Sequence, residues 1–113
     1  MKRLVWLGDS LECVRDFPPE ARRAAGYQLE RVQAGLMPSD WKTMPGAGLG
    51  VYELRVRAGG AYRVIYVVKF PEAIYVLHAF QKKTQKTAAV DMALARERFG
   101  ELVRERKRQW HGS

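Results

Sequence analysis

The sequence predicts an α+β fold, in which an N-terminal strand and a helical hairpin pack on an antiparallel β-meander and one further helix follows at the C-terminal end. Three observations lead there. Apolar residues recur at helical spacing over 19–36 and again beyond residue 87; they alternate with a period of two over 51–69 and 74–80; and glycine and proline fall where the period changes. At 113 residues the chain suits a single domain, 1–113, with one modest core.

Arg3 to Leu7 is a short apolar run and reads as a first strand. Asp9 and Ser10 suit the cap of a short helix, with Glu12 three residues after Asp9 in capping-box position. Pro18-Pro19 ends that helix and starts a second, whose Ala21, Ala25, Leu29, Val32 and Leu36 share a face before Gly35 and Pro38 close it. Residues 39–50 read as irregular. Within them Gly46-Ala47-Gly48-Leu49-Gly50 precedes a strand and opens no helix, so it reads as a flexible turn and not as a dinucleotide-binding loop. Val51 to Arg57 alternates, Ala58-Gly59-Gly60 turns, and Ala61 to Lys69 runs back. Phe70-Pro71-Glu72-Ala73 turns again into a third strand, Ile74 to Phe80. Beyond Thr87, Met92, Ala95, Phe99 and Leu102 line one face of a helix, and Arg96, Glu97, Glu101, Arg104 and Arg108 line the other.

Composition narrows the functional classes. No apolar stretch approaches the roughly 18 residues a membrane-spanning helix needs, and the N-terminal apolar run is too short for a signal peptide. The single cysteine, Cys13, has no internal disulfide partner; it reads as core, and neither it nor Ser10 has an evident base nearby. These features suit a cytoplasmic protein without a membrane partner. Two histidines and one cysteine offer no metal-ligand spacing, so neither a metal nor another cofactor is expected. Charge is the first positive clue. The chain carries +8, and residues 51–87 hold seven basic groups against two acidic ones, so the excess lies in the middle third and not in a solubilising tail. A field of that sign attracts nucleic acid or an acidic protein.

The hairpin concentrates this charge. A three-residue turn sets Arg57 opposite Ala61, and with it Arg55 opposite Arg63, Glu53 opposite Ile65 and Leu54 opposite Val64. Tyr52, Leu54, Val56, Tyr62, Val64 and Tyr66 then form a core face, and Arg55, Arg57 and Arg63 gather exposed on the other. Like charges opposite one another cost stability, so the patch calls for an anion, and forked guanidinium groups suit phosphate. Lys82, Lys83 and Lys86 follow the third strand, interleaved with Gln81, Thr84 and Gln85 as neutral hydrogen-bonders, while Phe80 and the tyrosines offer stacking surfaces. Arg57, Lys82, Lys86 and Gln85 are the candidate RNA-binding residues. Trp41 and Trp110 suit base stacking, an interface or plain packing, and the basic run Arg104 to Arg108 suits a solvated helix end or a nucleic-acid contact.

Val51-Tyr52-Glu53-Leu54-Arg55, Ala61-Tyr62-Arg63-Val64-Ile65-Tyr66 and Leu77-His78-Ala79-Phe80-Gln81-Lys82-Lys83-Thr84-Gln85-Lys86-Thr87 together resemble the phage-derived, HigB-like branch of the RelE/ParE toxins. The resemblance covers nearly the whole chain, and the Phe-Gln-Lys-Lys-Thr segment before an Ala- and Arg-rich helix is its most specific part. It implies a RelE-like fold and a toxin of a type II toxin–antitoxin system: a ribosome-dependent, metal-free mRNA endonuclease whose partners are the ribosome, mRNA and a cognate antitoxin, often a helix-turn-helix protein. Arg55, Arg63, Lys82 and Lys83 match the family's basic positions; Glu53 stands where the RelE type has a basic residue. In the implied chemistry the RNA's own 2′-hydroxyl attacks phosphorus. Arg55 and Arg63 suit the developing charge, Lys82 or Lys83 the flanking backbone, and Glu53 and His78 proton transfer. The candidate catalytic set is thus Arg63, Arg55, Lys83, His78 and Glu53, although Glu53 equally suits an ion pair and His78 a structural role. Two alternatives stand beside this reading: a ParE-like inhibitor of DNA gyrase, and a phage-encoded binding module without catalysis.

Overall fold

The computed structural model describes residues 1–111, with side chains as far as residue 109. Strand β1 (Leu4–Trp6) leads to α1 (Ser10–Arg15) and α2 (Pro19–Gln33); β2 (Trp41–Thr43), β3 (Val51–Arg57), β4 (Ala61–Val67) and β5 (Ile74–Lys82) follow, and α3 (Ala89–His111) closes the chain. The five strands form one sheet in the order β1-β5-β4-β3-β2. All neighbours are antiparallel except β1 and β5, which run parallel with Leu4 opposite Ile74. The α+β class, the helical hairpin, the meander and the last helix are as the periodicity predicts. No helix among the described residues is long and apolar enough to cross a membrane.

Three features differ from expectation. Residues 39–50 contain a strand, because the backbone of Trp41 to Thr43 pairs with Leu54 to Tyr52. The glycine-rich turn beyond it is packed and not free: Met44 and Ala47 are buried, and Gly48 passes so close to α3 that an added Cβ would lie 2.3 Å from the Phe99 ring. Asp9 does stand at the N-cap of α1, but its side chain makes no cap hydrogen bond and accepts one from Arg98 at 2.7 Å instead. The end of α2 follows the chemistry of its sequence. Gly35 takes φ +84°, and the N–H groups of Gly35 and Leu36 donate back to the carbonyls of Val32 and Arg31.

The sheet is covered on both faces. Val14 and Phe17, with Ala21, Ala25, Leu29 and Val32 of α2, pack on Leu54, Val56, Tyr62, Val64, Tyr66, Val76 and Ala79. On the reverse face Val51, Ile65 and Leu77 meet Ala95, Met92 and Phe99 of α3. The second layer matters for function, because α3 occupies part of the face that carries the arginines.

Candidate functional site

Every pair in the hairpin register falls as the turn length predicts, including Arg55 opposite Arg63 and Arg57 opposite Ala61. Side chains directly opposite one another share a face, so three cross-strand rows define one end of the reverse face. Lys42, Glu53, Ile65 and His78 make one row; Arg55, Arg63 and Phe80 the next; Arg57, Ala61 and Lys82 the last.

The arginines are not freely exposed, as the pattern alone suggested. Arg63 is only 5% exposed and Glu53 is fully buried. The Arg63 Nε donates to Glu53 Oε1 at 2.9 Å, and its Nη1 to the Tyr62 carbonyl at 3.0 Å. Arg55, half-buried, donates its Nε to the same carboxylate oxygen at 3.3 Å and lies 3.9 Å from Asp40. The physical reason is charge balance. One carboxylate placed between two guanidiniums permits both to be drawn into the sheet surface, whereas three bare arginines would have to stay in water. Glu53 thereby fixes the direction of Arg63. Glu53 Oε2 itself is buried with no hydrogen-bond partner among the described residues.

Arg63 still reaches one opening. It lines a shallow groove of about 390 Å³ together with Ala61, Lys82, Lys83, Thr84 and Gln85. All the ionisable side chains of that lining are cationic, and the lining joins β4 to the end of β5 and the segment after it. Partial burial holds the Lys82 ammonium below its ordinary pKa, and the positive charge of Arg63 adds to the effect; Lys42 and Arg55 push the same way, while Glu53 opposes them. Lys42 is a member of this cationic cluster that the sequence reading did not single out. The signal lies only in β2, whose existence brings residue 42 beside Glu53.

The remaining candidates fall elsewhere. Arg57 is exposed at the hairpin turn and Lys86 is exposed beyond the groove, neither forming part of its lining. Glu53 lies beneath the arginines. His78 is 5% exposed under α3, where its Nε2 lies 2.7 Å from Asp91 Oδ1 and its ring stacks on Phe80 at 5.4 Å. No carboxylate or imidazole among the described residues lines the groove. Trp41 packs edge-on to Tyr52 at 5.5 Å. The Trp110 side chain lies outside the described residues.

Cys13 packs against the core as its sequence suggests, and it also takes part in a second cluster. It is half-buried on α1, with Asp9 and His78 close by: one ligand atom from each of the three lies within 4.8 Å of the other two. Positions 9, 13 and 78 are too far apart in the chain for any spacing rule to link them. Burial pushes the Cys13 thiol pKa up, with the Asp9 carboxylate adding to it.

Residues 12–100 match the family model described as "Phage derived protein Gp49-like". Among solved structures the chain is similar to a doubly substituted E. coli toxin RelE in the free state, with 17% identity, a TM-score of 0.56, and coverage of 92% of this chain and 96% of that one. At that identity the likeness is one of fold, and the fold is RelE-like. No curated protein matches the chain.

Proposed function

The chain belongs to the phage-derived Gp49-like family, and from that membership and its cationic groove we propose that it is a RelE-type toxin which cleaves mRNA on the ribosome without a metal and is neutralised by a cognate antitoxin. The observation that carries the reading is the groove lined by Arg63, Lys82, Lys83, Thr84 and Gln85, with Glu53 behind it holding Arg63 in place. A forked guanidinium held by a buried carboxylate is preorganised for the charge that develops on phosphorus. Lys82 moves the proton. Its depressed pKa enlarges the neutral fraction, and a neutral amine accepts the proton of the attacking 2′-hydroxyl; as the 2′-oxygen bonds to phosphorus the bond to the 5′-oxygen breaks, leaving a 2′,3′-cyclic phosphate, and the departing 5′-oxygen takes a proton from water. Lys83 and Gln85 hold the flanking backbone, with Arg57 and Lys86 as outer contacts for the strand. Arg55 completes the field. Glu53 is a positioning residue, because its carboxylate is buried, and His78 is left out of the catalytic set, because it lies under α3 and away from the groove.

The test is cleavage of mRNA on translating ribosomes by the wild type and by Lys82→Ala, Lys83→Ala and Arg63→Lys. Removing one stabilising or proton-moving group costs on the order of 100-fold in rate. Lys82→Ala should show that loss with an unchanged melting temperature, since Lys82 is the last residue of β5 and its side chain makes no hydrogen bond or ion pair among the described residues. Lys83→Ala should mainly weaken RNA binding and reduce its salt slope by about 0.7–0.9. Wild-type cleavage by a folded Lys82→Ala protein would remove the site. Growth arrest with intact mRNA and inhibited DNA gyrase would replace the nuclease with a ParE-like inhibitor.

A further inference from the structure

We propose that Asp9, Cys13 and His78 form a binding site for a borderline divalent metal ion, Zn²⁺ foremost. The three residues come from the turn before α1, from α1 itself and from β5, and they bring one oxygen, one sulfur and one nitrogen donor within 4.8 Å of one another. That mixed set suits Zn²⁺, whereas Ca²⁺ and Mg²⁺ prefer oxygen alone.

The second observation is the state of His78. Its Nε2 is engaged by Asp91 at 2.7 Å, while its Nδ1 is buried and has no hydrogen-bond partner among the described residues. A buried nitrogen without a partner is costly, and a metal ion would satisfy it. A carboxylate on the far nitrogen is the usual device that orients a ligating imidazole. Arg98 does the same for Asp9: it binds Oδ1 at 2.7 Å, and the other carboxylate oxygen remains for the metal.

The geometry is close to what is needed. Bonds of about 2.0–2.3 Å place donors in a tetrahedral zinc site roughly 3.3–3.8 Å apart, so the widest pair must close by about 1 Å. Asp9 is exposed at the start of a six-residue helix and can supply that movement. On binding, the Cys13 thiol loses its proton to solvent and a water completes the fourth position. Asp91 and Arg98 both belong to α3, so an ion here ties α1, β5 and α3 together, away from the groove residues.

The experiment is titration of the full chain with Co²⁺ under a non-thiol reductant, followed by displacement with Zn²⁺. A thiolate-to-cobalt charge-transfer band should appear at one equivalent, vanish on adding Zn²⁺, and be absent in Cys13→Ser. Zn²⁺ should raise the melting temperature of the wild type but not of Cys13→Ser or Asp9→Asn. Asp91→Asn should keep the band and weaken Zn²⁺ binding about 10–100-fold, as expected for loss of an orienting partner. A cobalt spectrum without the band, or one that Cys13→Ser leaves unchanged, overturns the proposal, as does a wild-type melting temperature indifferent to Zn²⁺. None of these readouts depends on RNA cleavage.

Discussion

Arg63→Ala probes the pair on which the groove is built. The substitution removes the 2.9 Å bond to a carboxylate that is fully buried and already has one oxygen without a partner among the described residues. Breaking a buried ion pair from one side costs about 3–5 kcal/mol. Arg55 stays within 3.3 Å of the same oxygen, which places the expected loss at the low end, about 3 kcal/mol. With an unfolding entropy of about 2.1 cal/mol/K per residue over 113 residues, that corresponds to a fall in Tm of about 13 °C. Thermal denaturation followed by circular dichroism at neutral pH measures it. The double variant Glu53→Leu, Arg63→Leu should recover most of the loss, because replacing both charges with apolar groups removes the stranded carboxylate. A single-variant loss below about 3 °C would mean that Glu53 is solvated, and the account of how Arg63 is aimed would be wrong.

Other consequences can be checked in the same protein. If Lys82 accepts the proton, cleavage should rise with pH as its depressed pKa is passed and the neutral amine accumulates; Lys82→Arg, which stays protonated, should lose that rise, and a rate that falls with pH would assign Lys82 to charge stabilisation instead. The Arg106 hydrogen bond holds the Glu72 carboxyl at about 2, below its ordinary 4.5, so the pair contributes stability above about pH 4.5 and loses it as pH falls through about 2. Both groups are about a third exposed, so Glu72→Gln should lower stability by no more than about 1 kcal/mol at neutral pH and by nothing at about pH 2, as paired thermal melts will show. Gly48→Ala should cost about 1–3 kcal/mol in chemical denaturation, because its Cβ would meet Phe99 at 2.3 Å while φ stands at +153°; an unchanged midpoint would show that the turn does not pack on α3.

The hairpin register was legible because a period of two and a three-residue turn leave one pairing that buries Leu54, Val64 and Tyr66 together. The covering of the second face was signalled less plainly, by Val64-Ile65-Tyr66-Val67, an unbroken apolar run of the kind that marks a strand buried on both sides. Reading it so would have placed α3 over Ile65 and confined the arginines to one end of the sheet. Strand β2 was hidden because three exposed residues carry no readable period, and with it went the place of Lys42. The burial of Arg63 turns on Glu53, whose pairing with an arginine the sequence allowed but whose depth depends on the whole sheet. The Asp9, Cys13 and His78 cluster forms only through tertiary approach of α1 to β5, which no local pattern encodes.

The parallel pairing of β1 with β5 orders the assembly of the molecule in time. Leu4 meets Ile74, 70 positions further along the chain, whereas β3, β4 and β5 join through short turns. Entropy favours the closely spaced strands first. During synthesis Leu4-Val5-Trp6 emerges early and waits without a partner until Ile74 to Val76 has been made. Arg63 and Lys82 lie on consecutive strands of the meander and are likewise separate until β5 docks. The groove therefore forms only once β5 has been made and has joined β4, and the sheet edge at β1 closes after it. Pulsed hydrogen exchange during refolding should find the amides of β3 and β4 protected before that of Leu7, which bonds the Val76 carbonyl; simultaneous protection would show that the sheet closes in one step.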